Sequence, residues 1–142
     1  MKRFLTPLLV AAVLLCAVHG QTDDAVSARN AALELAGAFG NDGFKLREGY
    51  EAATLASGKP ILLQVNLYAG NEYWFSAAAV GGVKKISVAI FDEAGKAIEA
   101  DLFGEGARAA AGFSPGLSGS YYIQVAALEG DSGTCALVYS YK

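Results

Sequence analysis

Apolar and polar residues change their period once along this chain, and the change divides it. Within residues 25–39, Ala28, Ala31, Ala32, Leu35 and Phe39 fall on one stripe at helical spacing while Arg29 and Glu34 lie off it. That pattern predicts an amphipathic helix with a narrow, alanine-rich face suited to close packing on a sheet. Thr22 is its expected N-cap, and Asp23 and Asp24 stand in the first turn, where the helix dipole favours acids. Gly40-Asn41-Asp42-Gly43 should end it, because glycine and asparagine accept left-handed backbone angles.

From Phe44 onward the period is two, and glycine-containing breaks recur at the spacing of an all-β domain. Residues 44–50 read as a first strand at an edge, since Lys45, Arg47 and Glu48 crowd it. Residues 59–68 are a stronger strand, with Ile61, Leu63, Val65 and Leu67 on one face and Leu62, Gln64, Asn66 and Tyr68 on the other. Ala69-Gly70-Asn71 turns the chain into residues 72–79, where Tyr73, Phe75 and Ala77 point inward and Trp74 outward. A break at Gly81-Gly82 precedes residues 85–91, and the turn Asp92-Glu93-Ala94-Gly95 precedes residues 96–101. After a break at Gly104-Glu105-Gly106, residues 108–113 form a weak, alanine-rich strand. Residues 119–128 alternate Tyr121, Ile123 and Val125 against Tyr122, Gln124 and Ala126, and a hairpin through residues 129–133 leads to residues 134–141. Eight short strands predict a mainly β fold, an antiparallel two-sheet β-sandwich of jelly-roll type with one N-terminal α-helix.

The first twenty residues differ from the rest. Lys2 and Arg3 precede the uncharged run Leu8 to Val18, too short to span a bilayer, and Val18-His19-Gly20 supplies small residues at a cleavage site. Residues 1–20 are therefore expected to be a signal peptide cleaved after Gly20, with residues 21–43 a helix and linker and residues 44–142 the β-sandwich domain. Lipoprotein processing at Cys16 is the alternative, which Leu15 disfavours by standing where a small residue is wanted. The protein is expected to be secreted or periplasmic, with no membrane span in the mature chain.

Cleavage would lower the basic count from 11 to 9 against 14 acids, a net charge of −5. That disfavours nucleic acid as a partner, because such binding rests on Lys and Arg neutralising phosphates. Cys16 would leave with the signal, so Cys135 would be the single thiol of the mature chain and no internal disulfide could form. The single histidine, His19, would leave too. Without an imidazole, Ser-His-Asp and Cys-His nucleophiles and His-ligated zinc are excluded. The reading is accordingly of a protein that is not an enzyme. Paired carboxylates for glycoside hydrolysis have candidates in Asp92, Glu93, Glu99, Asp101, Glu105, Glu129 and Asp131, although turns collect acids for backbone reasons alone.

Two features suggest binding. Trp74 is the single tryptophan, and with Tyr68 or Tyr122 it forms a stacking platform for sugar rings or a partner's side chains if its face is open; the alternative is that the N-terminal helix, or the mixed face of the same sheet, covers the ring. Asp92, Glu93 and Asp101 offer hard oxygen ligands for calcium, without the alternate-acid pattern of a dedicated loop. No other cofactor is implied.

Three motifs in order, LYAGNEYWFSA at residues 67–77, FDEAGKAI at 91–98 and FSPGLSGSYYIQV at 113–125, resemble the bacterial pre-peptidase C-terminal domain. The resemblance covers about residues 58–141. It implies a jelly-roll β-sandwich of the kind appended to exported peptidases, here in a stand-alone form. Residues 85–91 carry no acid where members of that family often have several aspartates, and Cys135 stands where the last strand commonly has a tyrosine. The expected function is an exported, non-catalytic binding module for an extracytoplasmic protein or polysaccharide. The alternative is a structural or envelope-assembly protein that works through sheet edges and has no small-ligand site.

Overall fold

A computed structural model of the chain describes residues 23–47 and 51–142. The expected signal peptide, its cleavage point, Cys16, His19, Thr22 as N-cap and the end of the first expected strand (48–50) lie outside the described residues. Among the described residues no helix is long and apolar enough to cross a membrane.

The described residues run through one helix, α1 (Asp23–Gly37), a 3-10 turn at Gly40–Asp42, and β1 (Lys45–Leu46), β2 (Glu51–Ala56), β3 (Ile61–Leu67), β4 (Tyr73–Phe91), β5 (Ala97–Ile98), β6 (Asp101–Glu105), β7 (Arg108–Phe113) and β8 (Gly119–Tyr141). The fold is mainly β, an eight-stranded antiparallel sheet with one N-terminal helix. Its spine is the pair β4 and β8, of 19 and 23 residues, which are paired from Tyr73↔Tyr141 to Phe91↔Tyr122. β7 and β5 flank successive parts of β4, β6 lies beyond β7, and β3, β2 and β1 line the far side of β8.

Both long strands correct the expectation from the glycines. Gly81-Gly82 does not separate two strands, and residues 129–133 do not make a hairpin: each is a bend inside a continuous strand. The register shifts three times between Gly81 and Ile86, the signature of bulges that bend a paired ribbon. Gly81 faces Gly133 there, and Val83 faces Gly130. The bulges also change which parity points inward, from Tyr73, Phe75, Ala77 and Ala79 before the bend to Ile86, Val88 and Ile90 after it. Both arms of each long strand feed one buried cluster, with Phe75, Ile90, Ile123, Val125 and Leu137 among its members.

Further boundaries moved. Of the described part of the expected 44–50, residues 44–47, β1 takes Lys45–Leu46. β2 was not foreseen, since EAATLA has Thr54 as its one β-branched residue, no aromatic and three alanines; pairing from Glu51↔Leu137 to Ala56↔Ser132 imposes the extended form. The expected strand at 96–101 divides into β5 and β6, and β6 runs through Gly104, read as a break.

The outward face of the first arm is covered by α1. Ala28, Ala32 and Ala36 pack on Ala78, Ala136 and Val138, the close approach that the alanine stripe predicts. Gly43, at φ 89°, follows the short turn with the left-handed geometry expected of it. Ser76 and Ser140 are buried on this face, and their hydroxyls have no hydrogen-bond partner among the described residues. Shape, not polar bonding, therefore holds helix to sheet; the ion pair Arg108–Glu34, at 3.4 Å, is exposed and adds little.

Candidate functional site

On the second arm the outward face is bare. Because side chains alternate along a strand, burying Ile61, Leu63 and Val65 turns Leu62, Gln64 and Asn66 outward. The same rule turns out Ser120, Tyr122 and Gln124 on β8, and Ala89 and Phe91 on β4. In register, Tyr122 lies between Gln64 and Phe91, Gln124 lies between Leu62 and Ala89, and Asn66 faces Ser120. No charged residue occurs in these rows. The Gln64 amide nitrogen donates to Ser120 Oγ at 3.4 Å, and that hydroxyl donates to Asn66 Oδ1 at 3.2 Å. At one end Leu62, Phe91, Tyr122 and the turn Glu93-Ala94-Gly95 enclose a groove of about 310 Å³.

At the other end Asn66 passes into a second groove, of about 220 Å³, lined by Arg47, Tyr68, Asn71, Tyr73, Tyr139 and Tyr141. Arg47 is fixed there by its backbone N–H, which donates to the Tyr139 carbonyl at 2.9 Å, and its guanidinium lies 5.2 Å from the centre of the Tyr139 ring. Burial raises the pKa of the Tyr139 phenol, opposed by that guanidinium. The Tyr73 oxygen accepts two bonds, from the Tyr68 backbone N–H at 3.0 Å and the Asn71 side-chain nitrogen at 3.1 Å.

The structure does not bring Trp74, Tyr68 and Tyr122 together as one platform. Tyr122 belongs to the bare face and Tyr68 to the second groove, whereas Trp74 lies on the helix-covered side. Its ring stacks on Phe39, centroids 4.2 Å apart and planes 8° from parallel, and it covers Gly112 of β7. The reason is local: Trp74 is opposite Gly112, which has no side chain, so the ring fills that gap and Phe39 closes over it from the end of α1.

The proposed calcium ligands are likewise apart. Asp92 Oδ1 accepts the Lys96 backbone N–H at 2.8 Å and closes its turn, Glu93 rims the Tyr122 groove, and Asp101 lines a third groove with Trp74, Glu72 and Lys142. Among the described residues no group of three or more His, Cys, Asp or Glu is placed to hold a metal ion. Cys135 is buried, which pushes its thiol pKa up to about 12; such a thiol stays protonated and unreactive at neutral pH.

Sequence reasoning missed Arg47, Asn71, Tyr139 and Tyr141. Tyr139 and Tyr141 alternate within the last strand and were a readable signal, but Arg47 reaches them from 92 positions earlier, through β1 pairing that two residues maintain. No protein-family model and no curated protein matches the chain.

Proposed function

We propose that the protein is an exported, non-catalytic binding module for a polysaccharide, held along the outward rows of β3, β8 and β4. One observation carries this reading: the rows combine aromatic and aliphatic surface with amides and hydroxyls and contain no charge. A sugar ring offers a C–H face and a rim of hydroxyls, matched by an amphipathic aromatic beside groups that both donate and accept. From Leu62 to Tyr68 the row runs about 20 Å at the usual rise per residue, the scale of a short oligosaccharide. Export rests on the pattern of residues 1–20, and the absence of histidine after that segment supports a non-catalytic role. We take the bent sheet as the two layers of a sandwich related to the pre-peptidase C-terminal domain, a reading supported by the buried cluster shared between its arms and by the three ordered motifs.

Polysaccharides arrayed on a surface and probed with the purified protein test this. Tyr122→Ala should weaken binding about tenfold, the equivalent of roughly 1.4 kcal/mol for the lost ring contact, with the urea midpoint nearly unchanged. Failure of every polysaccharide to bind, or full binding by Tyr122→Ala, overturns the reading.

A second reading, assembly through a sheet edge, has its own observation. β6 ends the strand path with all five residues exposed, Leu102 at 71% and Phe103 at 42%. An open edge with apolar side chains is a template for another strand. On this reading the wild type forms oligomers at micromolar concentration in sedimentation, and Leu102→Lys shifts them to monomer. A wild type that stays monomeric removes self-assembly.

A further inference from the structure

The tyrosine groove has a chemistry of its own. Arg47 is the one charged residue among those that line it, and no carboxylate lies there to neutralise the guanidinium. The Asn66 side-chain oxygen already accepts from Ser120. Tyr73 is 4% exposed, and its oxygen already accepts from Tyr68 and Asn71. Its own O–H proton has no acceptor among the described residues and borders the open groove, where it can donate to a ligand in place of water. A guanidinium fork is shaped for a planar pair of oxygens. A guanidinium with no carboxylate beside it, next to a phenolic donor, favours an anion as the occupant.

We infer that this groove binds the carboxylate of an acidic sugar, with Arg47 as ion-pair partner, Tyr73 O–H as second donor, and the exposed rings of Tyr68 and Tyr141 flanking the sugar. The inference rests on the polysaccharide reading above and narrows it: the ligand is a chain of mostly neutral sugars that carries a uronate at this point. A single cation matches a single negative charge. A dense polyanion does not fit, because the adjoining rows are uncharged and the expected mature domain carries a net charge of −5. Asn66 joins the two parts, being both the last outward residue of β3 and a wall of the groove.

The test compares uronate-containing heteropolysaccharides with their carboxyl-reduced forms, in which each acid becomes a neutral sugar of unchanged linkage. The wild type should prefer the acidic form by tenfold or more. Arg47→Gln should abolish the preference, bringing the affinity for the acidic form down to that for the reduced form, and Tyr73→Phe should diminish the preference. Tyr122→Ala should weaken both forms equally. Arg47 is exposed, and a urea midpoint within error of wild type confirms that Arg47→Gln remains folded. Equal binding of acidic and reduced forms by the wild type overturns the carboxylate site but leaves the polysaccharide reading standing. Binding of neither form, together with Arg47-dependent binding of peptides that end in a free carboxylate, overturns both and assigns the groove to a protein partner.

Discussion

Gly133→Ala is expected to cost at least about 3 kcal/mol of stability and to leave little folded protein at 37 °C, a loss from the severe end of single substitutions. A Cβ at this position would run into the carbonyl oxygen of Val80 and stand 3.2 Å from its carbonyl carbon. Both are backbone atoms of the facing strand, held by the β4–β8 ladder where the two strands bend, so neither can yield without loss of register. Gly133 does not have a positive φ, so the cost is steric. Gly130→Ala adds a second cost, because at φ 99° an alanine is strained in addition to meeting the carbonyl of Gly82. Gly95→Ala separates the two effects: φ is 81° but nothing lies within 4 Å, so about 1 kcal/mol of backbone cost is expected alone. Urea midpoints measured for the three variants should rank Gly95→Ala above Gly133→Ala and Gly130→Ala. A Gly133→Ala protein as stable as wild type would mean that the strands do not approach this closely.

The same glycines mark where sequence reading succeeded and where it stopped. Residues 81–82 and 129–133 announce a departure from regular strand, and the departure is real. A glycine reports permissiveness in its own segment, however, and the same permissiveness serves a turn, a bulge or the close approach of another backbone. What distinguishes them here is that Gly81 faces Gly133 across 52 positions, which no local window contains. The helix was legible because alanines at helical spacing have few other uses, β3 was legible from alternation, and β7 from the glycine-containing breaks on either side of it. β2 was not, because its extended form comes from its partner and not from its residues. At the candidate site, Tyr122 and Tyr68 could be placed by parity within their strands, whereas the groove beside Tyr68 depends on Arg47 meeting Tyr139. Trp74 was read on the correct face, but its own strand could not decide between an open platform and cover by the helix; the stacked Phe39 ring, just beyond α1, covers it.

Trp74→Ala is expected to lower stability by about 2 kcal/mol while leaving polysaccharide affinity unchanged. Truncating a fully buried tryptophan costs about 3–5 kcal/mol, and this ring is half-buried, which sets the smaller figure. Its neighbours explain why the loss should still exceed that of an ordinary surface aromatic. The helix meets the sheet chiefly through small side chains, Ala28, Ala32 and Ala36 against Ala78, Ala136 and Val138, and each contributes little apolar area. The stack of Phe39 on Trp74 supplies a large contact at the C-terminal end of α1, and the Trp74 ring also fills the space over Gly112. Removing the ring undoes both, so α1 should open locally before the sheet unfolds, with faster amide exchange in the helix than in β4 or β8. Phe39→Ala should reproduce part of the effect, and the double variant should cost less than the two single losses together, because the residues touch. Polysaccharide affinity should follow Tyr122 and not Trp74, since the two rings lie on different faces of the molecule. A Trp74→Ala protein of wild-type stability that no longer binds would reverse the assignment and move the ligand to the helix-covered side.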